Sequence, residues 1–170
     1  MLQLAQVEGG SAKSRFETVD LAGLVHTIVD VFEPAAQDAG QRLTADVPGK
    51  AVHVLGDKAL LGQMLSNLIE NALRHTSQGS LINVSLGLQG AAVVLSVSDN
   101  GPGIPKDQRG KVLQRLYRLD RSRHTPGNGL GLSLVRQIAV HHGGWVQCEA
   151  RPDGGTCFRV RLPMRGGSSI

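Results

Sequence analysis

Aromatic side chains make up only 3% of this 170-residue sequence. Few rings means few platforms on which bases could stack, so a nucleic-acid partner is not expected. There are two cysteines, Cys148 and Cys157, too few for a disulfide framework or a zinc site. No stretch approaches the roughly 18 apolar residues that span a bilayer, and the start carries no signal-peptide pattern. These absences leave a cytosolic domain, or a cytosolic piece of something larger, as the default. What is present is globular: 41% of residues are hydrophobic, and 170 residues are enough for one α/β domain and not comfortably for two. The net charge of +4 suits an anionic partner, and a small polyphosphate ligand fits it.

The apolar pattern divides the chain. "MLQLAQVEGG" reads as the end of a helix stopped by Gly9-Gly10, which suggests a helix cut from an upstream partner. From "VDLAGLVHTIVDVFEPAAQDAG" a helix is expected, with Asp20 as its cap and Pro34 in its latter part. Short strands are expected at "RLTADV" and "AVHVLG". Asp57 then caps the longest helical pattern, residues 58–76. Strands follow near 81–88 and 91–98, joined at Gln89-Gly90. Residues 99–128 are rich in Gly, Pro and Arg, with one short helical stretch around 107–118. A second strong helix spans about 129–142, and the strands "WVQCEA" and "TCFRVRLP" follow. The tail 166–170 is expected to be disordered. Helices and antiparallel hairpins segregate, so the expected fold class is α+β, a two-layer sandwich.

Three stretches carry chemistry. On a wheel of about 100° per residue, Leu61, Met64, Leu65, Leu68, Ile69, Ala72 and Leu73 fill one arc of the 58–76 helix. Asn67 and Asn71 stack one turn apart on its rim, with Arg74 beside them. Amide oxygens are hard ligands that suit Mg²⁺, and a guanidinium forks onto phosphate. In "SDNGPGIP" an alternating strand delivers Asp99 at its end, and Gly101 and Gly103 allow a ligand to approach backbone closely. Such a carboxylate can accept from the exocyclic amine of adenine. In "GNGLGLSLV", Gly127, Gly129 and Gly131 open a helix and could bind an anion. A dinucleotide fingerprint would need a strand before these glycines, and a P-loop would need GxxxxGK[ST]; neither is present. The basic run from Lys106 to Arg123 is expected to cover a phosphate as a lid.

Taken in order, "NLIENALRHT", "DNGPGIP", "VLQRLYRLDRSR" and "GNGLGLSLVRQIAVHHGG" resemble the N, G1, F and G2 boxes of the ATP-binding catalytic domain of bacterial sensor histidine kinases, in the GHKL superfamily with gyrase-type ATPases. The resemblance covers about 18–163. It implies a mixed sheet of about five strands packed on three helices, with an ATP lid. Residues 11–165 would form the catalytic domain, and 1–10 the end of a dimerisation hairpin. It further implies that Asp99 binds the adenine amine, that Gly101 and Gly103 shape that floor, and that Thr156 points inward toward the base. Asn71 would hold Mg²⁺, Asn67 would lie near the phosphates, and Arg74 and His75 would contact phosphate and adenine. Gly127, Gly129 and Gly131 would surround the phosphates, with further contacts from Ile104, Arg118 and Leu130.

Gyrase-like relatives carry a water-activating Glu four residues before the metal asparagine. Here that place is Asn67, and an amide is no general base. The activity implied is transfer of the ATP γ-phosphate to a histidine on a separate dimerisation domain, which passes it to a response regulator. The fragment alone would be a monomer, its parent a homodimer in the bacterial inner membrane with this domain cytoplasmic. Alternatives are a stand-alone kinase for a serine acceptor, or a nucleotide-binding module without transfer. The sequence departs from the family pattern at Leu113 and Leu116, where aromatics are usual, and it lacks the box bearing the phosphoacceptor histidine. His141 and His142, at a helix C-terminus, are expected to be structural.

Overall fold

The computed structural model describes residues 15–113 and 131–164. Its elements run β1 (Phe16–Asp20), α1 (Leu21–Asp38), β2 (Arg42–Asp46), β3 (His53–Asp57), α2 (Lys58–His75), β4 (Leu81–Gln89), β5 (Ala92–Asp99), two 3₁₀ turns (Lys106–Gln108 and Lys111–Leu113), α3 (Gly131–His141), β6 (Trp145–Ala150) and β7 (Thr156–Pro163). A five-stranded sheet has the order β2-β4-β5-β7-β6. β2 is parallel to β4, and the other pairs are antiparallel. The three α-helices described here pack on one face of it, giving the expected α+β sandwich.

Period-two alternation sets which face they cover. Ile82, Val84 and Leu86 on β4, Val93, Leu95 and Val97 on β5, and Phe158, Val160 and Leu162 on β7 are buried. Asn83, Ser85, Ser96, Ser98, Arg159 and Arg161 alternate with them on the other face. On α2, Met64, Leu65, Leu68 and Ile69 are fully buried. Burial of each such side chain contributes about 1.5–3 kcal/mol. Asp57 caps this helix as expected, its Oδ1 accepting from Leu60 N–H at 3.2 Å.

One element was not foreseen, and two local expectations are corrected. The segment before α1 is a strand: β1 pairs antiparallel with β3 in a separate two-stranded sheet. Its sequence, FETVD, buries only Val19, so no alternation announces it. Asp20 stands at the N-cap position but makes no side-chain cap bond. Its Oδ1 instead accepts from Val52 N–H at 3.1 Å, tying α1's start to the residue before β3. The expected helical stretch around 107–118 is two 3₁₀ turns as far as Leu113; its remainder lies outside the described residues. Pro34 sits inside α1, which continues through it to Asp38. Cys148 and Cys157 are both free thiols. Burial pushes the Cys148 thiol up to about 12, far from a reactive thiolate.

Candidate functional site

Two clusters open along the line where β5 meets β7 and α2 meets α3. At the first, Asp99 ends β5 directly opposite Thr156, which begins β7. Both are buried, Asp99 at 7% exposure and Thr156 at 5%. A carboxylate this buried needs donors. Oδ1 accepts from Gly101 N–H at 2.9 Å. Burial nonetheless raises its pKa above the usual carboxylate value, against the lowering by the Gly101 and Thr156 backbone and by Arg151.

Glycines permit the turn around it. A Cβ on Gly101 would stand 2.7 Å from the Thr76 methyl and 3.1 Å from Asp99 Oδ1. Gly103, at φ 82°, lies against the Gly155 carbonyl. Gly155, at φ 102°, packs so tightly that a Cβ there would run into the Asp99 carbonyl oxygen and stand 2.8 Å from Asn100 Cα. Ile104 packs on the core, and its carbonyl accepts from Arg109 Nε at 3.0 Å. His75 is half-buried at the end of α2.

The second cluster is the polar rim of α2. Asn67 Oδ1 accepts from Gln63 Nε2 at 2.6 Å, and its Nδ2 donates to the Gly131 carbonyl at 3.2 Å. Asn67 thus ties α2 to the first residue of α3. Asn71, one turn later and also half-buried, makes no side-chain hydrogen bond to the described residues. Its amide oxygen has no hydrogen-bond partner among the described residues. Arg74 is exposed beyond it. No three His, Cys, Asp or Glu side chains converge among the described residues. A cation at this rim would therefore draw on an amide oxygen and on the ligand's own oxygens. Arg118, Gly127, Gly129 and Leu130 lie outside the described residues, as does most of the expected lid.

Behind the site, His142 is buried at 6% exposure. Its Nδ1 donates to the Ile138 carbonyl at 2.8 Å, and its Nε2 accepts from Asp57 N–H at 3.0 Å. That pair of bonds requires the neutral ring. Its face stacks on Phe16 at 4.8 Å, and His141 meets both rings edge-on. The structural role expected for this histidine is thus met across 85 positions of sequence, at the residue that caps α2. Burial lowers its pKa below 6.5; the Ile138 carbonyl raises it, His141 lowers it and Asp57 raises it.

A proton therefore binds the unfolded chain more readily than the fold. The stability contributed by neutral His142 is present above pH 6.5 and lost as pH falls below that toward the lowered folded value. In urea titrations between pH 5 and 7.5, stability should rise with pH, and His142→Leu should flatten that slope while lowering stability throughout. An unchanged slope would remove His142 as its source.

A sheet-on-helix sandwich with a buried carboxylate at a strand end, glycines around it and asparagines along the facing helix defines a nucleotide-binding ATPase domain of the GHKL kind. Residues 56–166 match the family described as "Histidine kinase-, DNA gyrase B-, and HSP90-like ATPase", and the chain belongs to that family. It is 33% identical over 165 residues to the sensor-like histidine kinase SenX3 of Mycobacterium tuberculosis, covering 96% of this chain and 40% of SenX3. The chain thus spans about two fifths of the length of that relative. The catalytic domain of histidine kinase ThkA superposes with a TM-score of 0.80 at 26% identity, over 88% of this chain and 96% of that one. Full-length ShkA, solved in complex with AMPPNP, superposes with a TM-score of 0.82 at 26% identity, over 96% of this chain and 34% of ShkA.

Proposed function

We propose that this chain is the catalytic domain of a sensor histidine kinase, which binds Mg-ATP and gives its γ-phosphate to a histidine on a separate dimerisation domain. The observation that carries this reading is the division of labour between the two asparagines. Asn67 spends its amide on Gln63 and Gly131, while Asn71 keeps its own for a ligand. Neither amide can take a proton from water, and the single carboxylate of α2, Glu70, is exposed to solvent. The site is built to hold a phosphate chain without activating water against it, which suits transfer to an acceptor brought from elsewhere.

The chain's own residues divide the task. Asp99 accepts from the adenine amine, and Gly101 and Gly103 let the base lie against backbone. Asn71 holds Mg²⁺, a fit supported by its free amide oxygen. Bound there, the ion would neutralise phosphate charge. Arg74 offers a solvent-facing guanidinium to the phosphate end. His75, Ile104, Thr156 and Gly131 line the approach, with Arg118, Gly127, Gly129 and Leu130 assigned to closure over the nucleotide. A response regulator would take the phosphate from the dimerisation domain, in a homodimeric parent whose catalytic domains face the cytoplasm.

Labelled ATP and Mg²⁺ test this. The 170-residue chain should bind ATP without acquiring stable phosphohistidine, and should label a separately supplied cognate dimerisation domain with acid-labile, base-stable phosphate. Asn71→Ala should weaken Mg-ATP binding roughly 10-fold, the scale of one lost polar contact, and leave metal-free ATP nearly unaffected. Equal losses with and without Mg²⁺ would sink the metal assignment. Phosphoserine on a partner would favour a serine kinase, and binding without any transfer a nucleotide-binding module.

A further inference from the structure

Gln41 lies between α1 and β2 and is 6% exposed, a burial unusual for its type. Its Nε2 faces three oxygens: the Leu73 carbonyl at 2.9 Å, the Thr76 carbonyl at 3.1 Å and the Thr76 hydroxyl at 2.7 Å. Two N–H bonds serve three acceptors, so the amide orientation is fixed; reversed, it would set oxygen against oxygen. The outward price is a buried Oε1 with no partner among the described residues. A buried acceptor left unmet is a cost that a surface polar residue would avoid.

What the amide holds is the last turn of α2. The Thr76 hydroxyl also donates to the Ala72 carbonyl at 2.8 Å, so its side chain has one orientation. That orientation turns the Thr76 methyl toward Gly101, close enough that a Cβ there would be 2.7 Å away. Gly101 N–H in turn donates to Asp99 Oδ1. Backbone bonds brace the same junction: Gly79 N–H donates to the Gly40 carbonyl, and Arg42 N–H to the Ser80 carbonyl.

We propose that Gln41 is a positioning residue for base recognition: through Thr76 and Gly101 it sets which Asp99 oxygen is consumed inside the protein and which is presented to the base. The inference rests on Asp99 reading the adenine amine, and it adds a residue at neither a strand end nor a glycine loop. Gln41 touches no ligand itself. Its loss should be read in base discrimination and not in phosphate binding.

The test is calorimetry on the full chain with Mg²⁺ and three probes: ATP, inosine triphosphate, which lacks the amine, and tripolyphosphate, which lacks the base. Wild type should prefer ATP over inosine triphosphate. Gln41→Leu should shrink that ratio about fivefold or more and leave tripolyphosphate affinity unchanged. If Gln41→Leu does not fold, Thr76→Ser decides, because it keeps the hydroxyl and its two hydrogen bonds and removes only the methyl against Gly101. It should shrink the ratio in the same direction. A folded variant that loses stability but keeps the wild-type ratio overturns the inference and leaves the base-site reading standing. A wild type that binds both nucleotides equally overturns the Asp99 reading, and this inference with it.

Discussion

Asp99→Asn should weaken ATP binding about 10–100-fold, while the protein melts no earlier than wild type. Two donors compete for this carboxylate: Gly101 N–H and the proposed adenine amine. An asparagine brings one oxygen and an NH₂, so one donor loses its acceptor. Hydrogen bonds to charged groups contribute about 1.5–3 kcal/mol, which sets the expected range of affinity loss. The NH₂ would face an acceptor on guanine favourably, so discrimination against GTP should fall too. Stability should move the other way. Burial raises the Asp99 pKa, so its protonated form is favoured in the fold, and stability from this group appears as pH falls through the raised value. At neutral pH the ionised form is a cost, and a neutral amide removes it. Unchanged nucleotide affinity would take Asp99 out of the base site, whatever the melting temperature.

Gly155→Ala should be among the most damaging single-methyl changes in this protein, at about 3 kcal/mol or more. The positive φ alone costs about 1–3 kcal/mol for a residue with a Cβ. The new methyl would also meet the Asp99 carbonyl oxygen and Asn100 Cα, both backbone atoms that cannot swing aside. Its neighbour supplies the control. Gly154 has a similar φ of 99° and nothing within 4 Å of a built Cβ, so Gly154→Ala pays only for conformation. Urea denaturation should separate the two by about 1–3 kcal/mol, the scale of overpacking a close contact. Because the displaced atoms belong to Asp99 and Asn100, folded Gly155→Ala protein should also bind ATP more weakly than Gly154→Ala. Equal stabilities for the two variants would mean that the β6–β7 turn relaxes away from β5 freely.

Local pattern made much of this molecule legible. Helical periodicity located α1, α2 and α3, and alternation located β4 through β7. Asn67, Asn71 and Asp99 stood out because each breaks the rule its neighbours follow, polar groups set at the margin of apolar runs. What stayed hidden depends on partners far along the chain. β1 is a strand because β3 pairs with it, and Phe16, Glu17 and Thr18 are exposed, so nothing in its own pattern says so. Gln41 reads as an ordinary polar residue after a helix until α2's end, more than 30 positions on, appears beside it. His142 reads as a structural residue at a helix C-terminus, but nothing near it in sequence points to its partner Asp57, 85 positions earlier. Gly155 looks like turn chemistry, and only the strand packed behind it reveals the close approach. By helical position alone the two asparagines look equivalent; their different hydrogen bonding follows from where α3 begins.

The order of the five-stranded sheet has a consequence for how the protein comes apart. β5 and β7 join an N-terminal half, with α1, α2, β2 and β4, to a C-terminal half of α3, β6 and β7. Asp99 faces Thr156 across that join, and Asn67 reaches Gly131 across it. A ligand seated on these residues touches both halves and acts as a clasp between them. Its occupancy should therefore oppose separation of the halves more than fraying within either one. At a free concentration 100 times its Kd, that clasp amounts to about 2.7 kcal/mol. Amide exchange along β7 should slow on saturation, while exchange along the edge strand β2, which pairs only with β4 inside the N-terminal half, keeps its unliganded rate.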